Sequence, residues 1–137
     1  MSEVLSIADV RRMYSEAHAA GVYAAAEKLA LMERSGPRWQ VVDEANPDAH
    51  KGDPGWQMLG LCGMAWVHLS ENGNSRKMRL LRKFDPRCHK SYYGGWDLFY
   101  CSFYNGQVID VHKAGAKAAA EVMRRYGFDA YADSRID

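Results

Sequence analysis

No run of apolar residues in this chain approaches the ~18 needed to span a bilayer, and its start, MSEVLSIADVRRMY, lacks the apolar core of a secretory signal. A cytoplasmic protein is therefore expected. Cysteine is scarce: Cys62, Cys88 and Cys101 are an odd number with no CxxC pair, which argues against a disulfide scaffold. Cys62 and Cys101 lie in apolar, strand-like runs and are expected to be buried thiols. An excess of charge of one sign is also missing. With 18 basic and 17 acidic residues, the net charge is +1, so no global field draws in a polyanion from a distance. That argues against a DNA-coating role, yet leaves room for a local site where two or three arginines meet one phosphate.

Catalytic signatures are equally thin. There is no GxxxxGK(S/T) phosphate loop and no GxGxxG. The five histidines, His18, His50, His68, His89 and His112, are scattered one per element, so no metal site and no cofactor are expected. The thiols sit in strand interiors, away from an activating base and an orienting group behind it. The reading is of a protein that is not an enzyme.

What is present organises 137 residues into one domain, 1–137, with a single core. Ser6-Ile7-Ala8-Asp9 resembles a capping box with Asp in the place of Glu. The run from Ile7 to Met32 is rich in helix formers and stops at Ser35-Gly36-Pro37, predicting one long helix. Its small-residue face, Ala17, Ala20, Gly21, Ala24 and Ala25, allows close approach of another backbone. Packing on the protein's own sheet and helix-to-helix packing between subunits both fit it. A homo-oligomer is favoured, because a helix of this length outruns a domain of this size.

Arg38–Val42 reads as a short strand and 43–57, with His50 and Trp56, as an exposed loop. Met58–Leu69 is an apolar run expected to form the central strand. Asn72-Gly73-Asn74-Ser75 gives a turn and an N-cap, and Ser75–Phe84 fits a short basic helix. Arg76, Lys77 and Arg79 on that helix form either a solvated face or a second anionic site. Cys88–Tyr93 and Trp96–Tyr104 are expected to form a hairpin about Gly94-Gly95. The aromatics Tyr92, Tyr93, Trp96, Phe99, Tyr100, Phe103 and Tyr104 exceed what one core face needs, so some belong at an interface or a base-stacking surface. After the loop Asn105-Gly106-Gln107 comes a helix with Val111, Gly115, Ala118, Ala119, Val122 and Tyr126 on one side, capped at Gly127. A closing strand starts at Phe128, and its pattern runs to the last residue. The order α-β-β-α-β-β-α-β predicts an α/β sandwich (α+β): one mostly antiparallel sheet, with the long N-terminal, short basic and C-terminal helices packed on it.

Terminal tails usually fray, but here Arg135 and Asp137 project the same way. Either they are a structural pair, or the guanidinium takes a phosphate while the carboxylate takes a hydroxyl or an amine.

Several stretches carry a resemblance: Tyr14–Gly21 (YSEAHAAG), Cys62–Val67 (CGMAWV), Asn74-Ser75-Arg76, Tyr92-Tyr93-Gly94-Gly95, Gln107, the alanine-rich helix, and Tyr131–Asp137 (YADSRID). Together they resemble a widespread family of small tailed-phage proteins, over most of the chain except 43–57 and most distinctively in the last third. The architecture is also similar to the first-described class of phage anti-Thoeris proteins, which act as sponges. That resemblance implies an oligomer, from a dimer up to a hexamer, in the cytoplasm of the infected bacterium. It would bind a cyclic ADP-ribose isomer made by a bacterial TIR defence enzyme without cleaving it, and some members also trap cyclic oligonucleotides. On this chain it implies that Tyr92 or Tyr93 stacks on adenine, Asn105 or Gln107 binds sugar or base, and Arg135 with Asp137 takes phosphate and hydroxyl. The chain departs from the pattern after Ser75, with Arg-Lys-Met-Arg, and at Asn105-Gly106-Gln107, where the usual Asn-Gln pair is split. The rival expectation is a nucleic-acid or host-protein binding module that uses the 76–83 basic helix and the aromatic hairpin.

Overall fold

A computed structural model describes residues 4, 6–37, 39–40, 45–46 and 57–137. The expected 43–57 loop, with His50 and Trp56, therefore lies outside the described residues except at 45–46 and 57. The elements in order are α1 (Ile7–Ser35), β1 (Trp39–Gln40), β2 (Gln57–Met58), β3 (Gly63–Leu69), α2 (Arg76–Phe84), β4 (His89–Lys90), β5 (Trp96–Leu98), α3 (Ile109–Arg125) and β6 (Ala130–Ile136). This is an α+β fold. Strands β4-β5-β3-β6 form one antiparallel sheet, and β1 pairs with β2 apart from it.

The N-terminal signal works as its chemistry requires. The Ser6 hydroxyl accepts from the Asp9 N–H at 3.3 Å while the Asp9 carboxylate accepts from the Ser6 N–H at 3.0 Å, so two otherwise orphan donors are satisfied. At the far end Gly36 takes φ 81°, a left-handed value open to glycine, and its N–H returns to the Met32 and Glu33 carbonyls.

The small-residue stripe of α1 is occupied within the chain. Ala17, Gly21 and Ala25 are buried, and α1 packs chiefly on α3, which in turn lies on β3 and β6. The layers are therefore sheet, α3 and α1, and the long helix does not lie directly on the sheet. Phe103 is the wedge between the helices. A β-carbon on Gly21 would come within 2.4 Å of its ring, and one on Gly115 within 2.8 Å. Glycine at both positions is what lets a phenyl ring enter between α1 and α3.

Three expected strands are shorter in the structure, the hairpin arm Cys88–Tyr93 being strand only at His89–Lys90. The run from Met58 to Leu69 is interrupted between β2 and β3, where Cys62 bridges to Val108. Glycines permit this: a β-carbon on Gly60 would meet Val108 at 2.9 Å, and one on Gly63 the Arg135 carbonyl at 2.7 Å. The strand expected over 96–104 ends at Leu98, because Phe99 (φ 58°) and Cys101 (φ 47°) are left-handed. In an extended strand Leu98 and Phe99 would face opposite sides of the sheet. The turn lets both be buried, at 2% and 4% exposure.

Ala65, Val67, Leu69, Leu98 and Ala130 face the helices and are buried. On the other face Met64, Trp66 and His68 of β3 lie opposite Arg135, Asp133 and Tyr131 of β6. Among the described residues no helix covers this second face, and none is long and apolar enough to cross a membrane.

Strand β6 is an edge. Asp137 N–H bonds the Cys62 carbonyl and Ser70 N–H the Asp129 carbonyl, so odd-numbered residues bond β3 and even-numbered ones face outward. Two outward groups are capped: Arg124 Nη1 donates to the Ala130 carbonyl at 2.7 Å, and the Asp133 carboxylate accepts from Ser134 N–H at 2.8 Å. Such caps blunt an edge that would otherwise template another strand.

The wedge makes an unusual stability prediction. Glycine to alanine inside a helix ordinarily adds about 0.5–1 kcal/mol. Gly21→Ala should instead cost about 1–3 kcal/mol through overpacking against Phe103, read as a lower urea midpoint. A stabilised variant would show that the ring yields freely.

Candidate functional site

Helix α1 presents Tyr14, Ser15 and His18 on one side, and α2 ends at Asp85-Pro86, where proline blocks further helix. Arg87 follows at once. These residues, with Tyr100, Cys101 and Ser102 from the left-handed turn, line an open cleft of about 540 Å³. That volume lies in the range of small-molecule sites.

A hydrogen-bonded cluster sets the cleft's floor. Tyr14 Oη donates to Asp85 Oδ2 at 2.5 Å, and Arg87 donates through Nε to Oδ1 at 3.0 Å and through Nη2 to Oδ2 at 3.2 Å. Arg87 Nη2 also donates to Tyr14 Oη at 3.1 Å, and the Arg87 backbone N–H donates to Oδ1 at 3.0 Å. Asp85 is buried while 82% of the Arg87 side chain is exposed. A buried carboxylate thus grips an exposed guanidinium in a fixed plane. Burial is the largest influence on Asp85 and raises its carboxyl. The hydrogen bonds from the Arg87 side chain, Tyr14 and the Arg87 backbone overrule it and leave Asp85 below the usual carboxylate range. Burial first, then the bond to Asp85, pushes the Tyr14 hydroxyl up to about 12, so it stays a neutral donor. The bond to Asp85 raises Arg87 further.

Tyr100 connects this cleft to the uncovered sheet face. Its ring stacks on Trp66 at 5.7 Å with planes 23° apart, and its hydroxyl donates to the Met64 sulfur. Arg135 Nη2 approaches the same sulfur at 3.4 Å. The tyrosine therefore shares the cleft wall with Arg87 and the Met64 sulfur with Arg135, with an indole beside it.

The residues expected from sequence divide between two ends of the sheet. Arg135, Asp137 and Gln107 come together: Asp137 N–H bonds the Cys62 carbonyl, the Gln107 carbonyl accepts from Gly63 N–H, and Cys62 Sγ lies 3.6 Å from Gln107 Oε1. Asn105 is exposed in the adjoining loop. Tyr92 and Tyr93 are elsewhere. They stand 91% and 93% exposed at the tip of the β4–β5 hairpin, at the end where Trp96 pairs with Leu69. Arg135 pairs with Met64 near the other end of β3. Five residues of strand separate the two positions, about 17 Å at ~3.3 Å each. One chain does not bring the tyrosines to the arginine.

Other expectations also change. Lys77 is tied down by Glu71 at 3.1 Å and the Gly127 carbonyl at 2.6 Å and lies over the Phe128 ring, whereas Arg76 and Arg79 are exposed. Lys77 therefore braces the fold and is not free to join them around an anion. Cys62 and Cys101 are half-buried and Cys88 is the buried thiol, pushed up to about 12 by burial and so held protonated. His68 is buried against Asp97, Nδ1 to Oδ1 2.8 Å, and His89 Nε2 stands 3.9 Å from the other oxygen. Among the described residues no group of His, Cys, Asp and Glu could hold a metal ion.

Sequence reasoning gave no site role to Tyr14, Asp85, Arg87 and Trp66, and counted Tyr100 only among the surplus aromatics. Asp85-Pro86 reads locally as a helix stop, and no short-range signal ties Asp85 to a tyrosine 71 positions away.

Asp85→Asn should lower the unfolding free energy by about 1–3 kcal/mol at neutral pH. A depressed folded-state pKa contributes stability that is complete above the unfolded value, about 3.9, and is lost as pH falls through the folded value. The gap between the two proteins should therefore close in acid, as urea unfolding at stepped pH would show. A gap constant from pH 7 to pH 2 would remove Asp85 from the pH response.

Compared with family models, curated proteins and solved structures, the chain matches none.

Proposed function

We propose that this protein binds and sequesters a small nucleotide signal without turning it over, as a homo-oligomer in the cytoplasm of a phage-infected bacterium. The observation that carries the reading is Tyr100, which shares the 540 Å³ cleft with Arg87, stacks on Trp66 and meets Arg135 at the Met64 sulfur. Stacking faces suit a base, and guanidinium groups suit phosphates bidentately. The resemblance to the anti-Thoeris sponges supplies the ligand class, a cyclic ADP-ribose isomer. In this reading Arg135 and Asp137 keep their expected roles on phosphate and hydroxyl, and Tyr100 takes the stacking role in the chain that holds them. Tyr92 and Tyr93 reach a ligand there only from a second copy.

Arg87 is pre-oriented by Asp85, so little rotamer entropy is lost when it closes on an anion. A sponge needs that economy, since retention at nanomolar ligand corresponds to about −12 kcal/mol. The cleft is open on its outer side, and a second subunit across it would exclude water and strengthen every charged contact.

The test is to incubate the protein with the products of a TIR enzyme, wash, denature by heat and identify the released material by mass spectrometry. An intact cyclic ADP-ribose isomer is expected. Arg87→Ala and Arg135→Ala should each weaken retention about tenfold or more, with Arg135→Ala leaving the melting temperature nearly unchanged because its side chain is exposed. Binding that collapses between 50 and 200 mM salt would instead mark a nucleic-acid binder. Recovery of nothing, or of hydrolysed fragments, would end the proposal.

A further inference from the structure

A second cleft, of about 430 Å³, lies at the other end of the sheet, between α2 and the β4–β5 hairpin. Its walls carry Arg82, Lys90, Asn72, Asn74 and Trp96. We propose that it is a separate binding site for a phosphate-type oxyanion.

The argument starts with Arg82. Its guanidinium lies over the Trp96 ring at 4.6 Å, and Nη2 donates to the Gly73 carbonyl at 2.6 Å. The two contacts fix both its height and its rotation. Glycine makes this possible, since a β-carbon at position 73 would come within 2.6 Å of the Trp96 indole. The Nε atom is buried without a hydrogen-bond partner, so the group is held by its indole seat and the one carbonyl. Arg82 is thus presented as a planar donor with hydrogens left over.

Charge adds to the case. Among the described residues neither Arg82 nor Lys90 has a carboxylate partner, and Lys90 is exposed. The one acid in the wall, Glu71, is already engaged by Lys77 at 3.1 Å and by the Asp129 N–H at 2.6 Å. Two cations therefore face the cleft against an acid whose charge is balanced elsewhere. Asn72 Oδ1 accepts from the Asn74 N–H at 2.9 Å, which leaves its NH₂ as the group it can offer. A forked guanidinium, an ammonium and an amide donor together match the several acceptor oxygens of a tetrahedral oxyanion.

The oxyanion could be free phosphate or the end of a phosphomonoester, and the rim distinguishes them. Lys90 and Gly95 line the cleft, and the hairpin tip between them carries the exposed Tyr92 and Tyr93 rings, packed edge to face at 4.8 Å. An aromatic ester has those rings to rest on; inorganic phosphate does not.

The experiment titrates the full-length protein with inorganic phosphate, phenyl phosphate and, at matched ionic strength, chloride, following the Arg82 Nε–H and Trp96 indole N–H resonances. Saturable shifts with phosphate and not with chloride are expected. Tighter binding of phenyl phosphate assigns the ester, and equal binding assigns the free ion. Lys90→Ala, at an exposed position, should keep the fold and weaken binding about tenfold or more. Arg87→Ala should leave these shifts unchanged, so this site and the Tyr100 cleft succeed or fail separately. Shifts that chloride reproduces, or that survive Lys90→Ala undiminished, overturn the proposal.

Discussion

The turn at Phe99–Cys101 is the constraint on which both the packing and the main cleft depend. Left-handed backbone at a non-glycine residue costs roughly 1–2 kcal/mol, and this turn contains two such residues. What offsets the cost is the burial of Phe99 and Phe103 together, each contributing about 1.5–3 kcal/mol. Phe99 meets Tyr14 at 4.7 Å and Phe103 at 5.2 Å, so the buried rings form a continuous chain under α1. Tyr100, caught between two residues that turn the backbone, is left on the outside, 51% exposed. The same distortion that completes the core delivers the aromatic of the cleft, and strained backbone of this kind clusters where function needs a side chain aimed against the regular pattern.

The carboxylate of Asp85 does the corresponding work for charge. The Asp85 backbone N–H ends α2 by returning to the Leu81 carbonyl, while its carboxylate accepts from Tyr14 of α1 and holds Arg87 in plane. One residue therefore joins the end of one helix to another helix and orients an exposed cation. Removing water from the carboxylate is costly, but four donors surround it, and a fully hydrogen-bonded buried charge is the arrangement in which that cost is recovered.

Much of this architecture was legible in the sequence because its signals are local. Ser6 and Asp9 three residues apart, Gly36 before Pro37, Ser75 ahead of a basic amphipathic run, and Gly127 after an alanine-rich one each act through bonds within a turn or two. They correctly mark the three helices and the closing strand. The errors arise where a distant residue decides. Trp96–Tyr104 alternates like a strand, yet its second half is bent by the need to place Phe103 between Gly21 and Gly115, more than ninety positions apart in the chain. Gly60 and Gly63 lie inside the Met58–Leu69 run that reads as one strand, and the groups that crowd them, Val108 and the Arg135 carbonyl, are invisible without the fold. The tail was legible as ordered, but its separation from Tyr92 and Tyr93 follows from antiparallel register, which no local pattern specifies.

That register also explains why the two clefts differ in kind. At the end of β3 where Met64 pairs with Arg135, the uncovered face offers sulfur, indole and phenol, and the cations flank an aromatic surface. At the end where Leu69 pairs with Trp96 and Ala130, the indole of Trp96 is covered by Arg82 of α2. An aromatic ring already capped by a guanidinium has one face fewer for a base, so the second cleft offers charge and hydrogen-bond donors in place of a stacking floor. In the first, Tyr100 rests one face on Trp66 and is 51% exposed. Five residues of one antiparallel strand, from Met64 to Leu69, thus separate a surface of stacked rings and sulfur from a cleft lined by cations and amide groups.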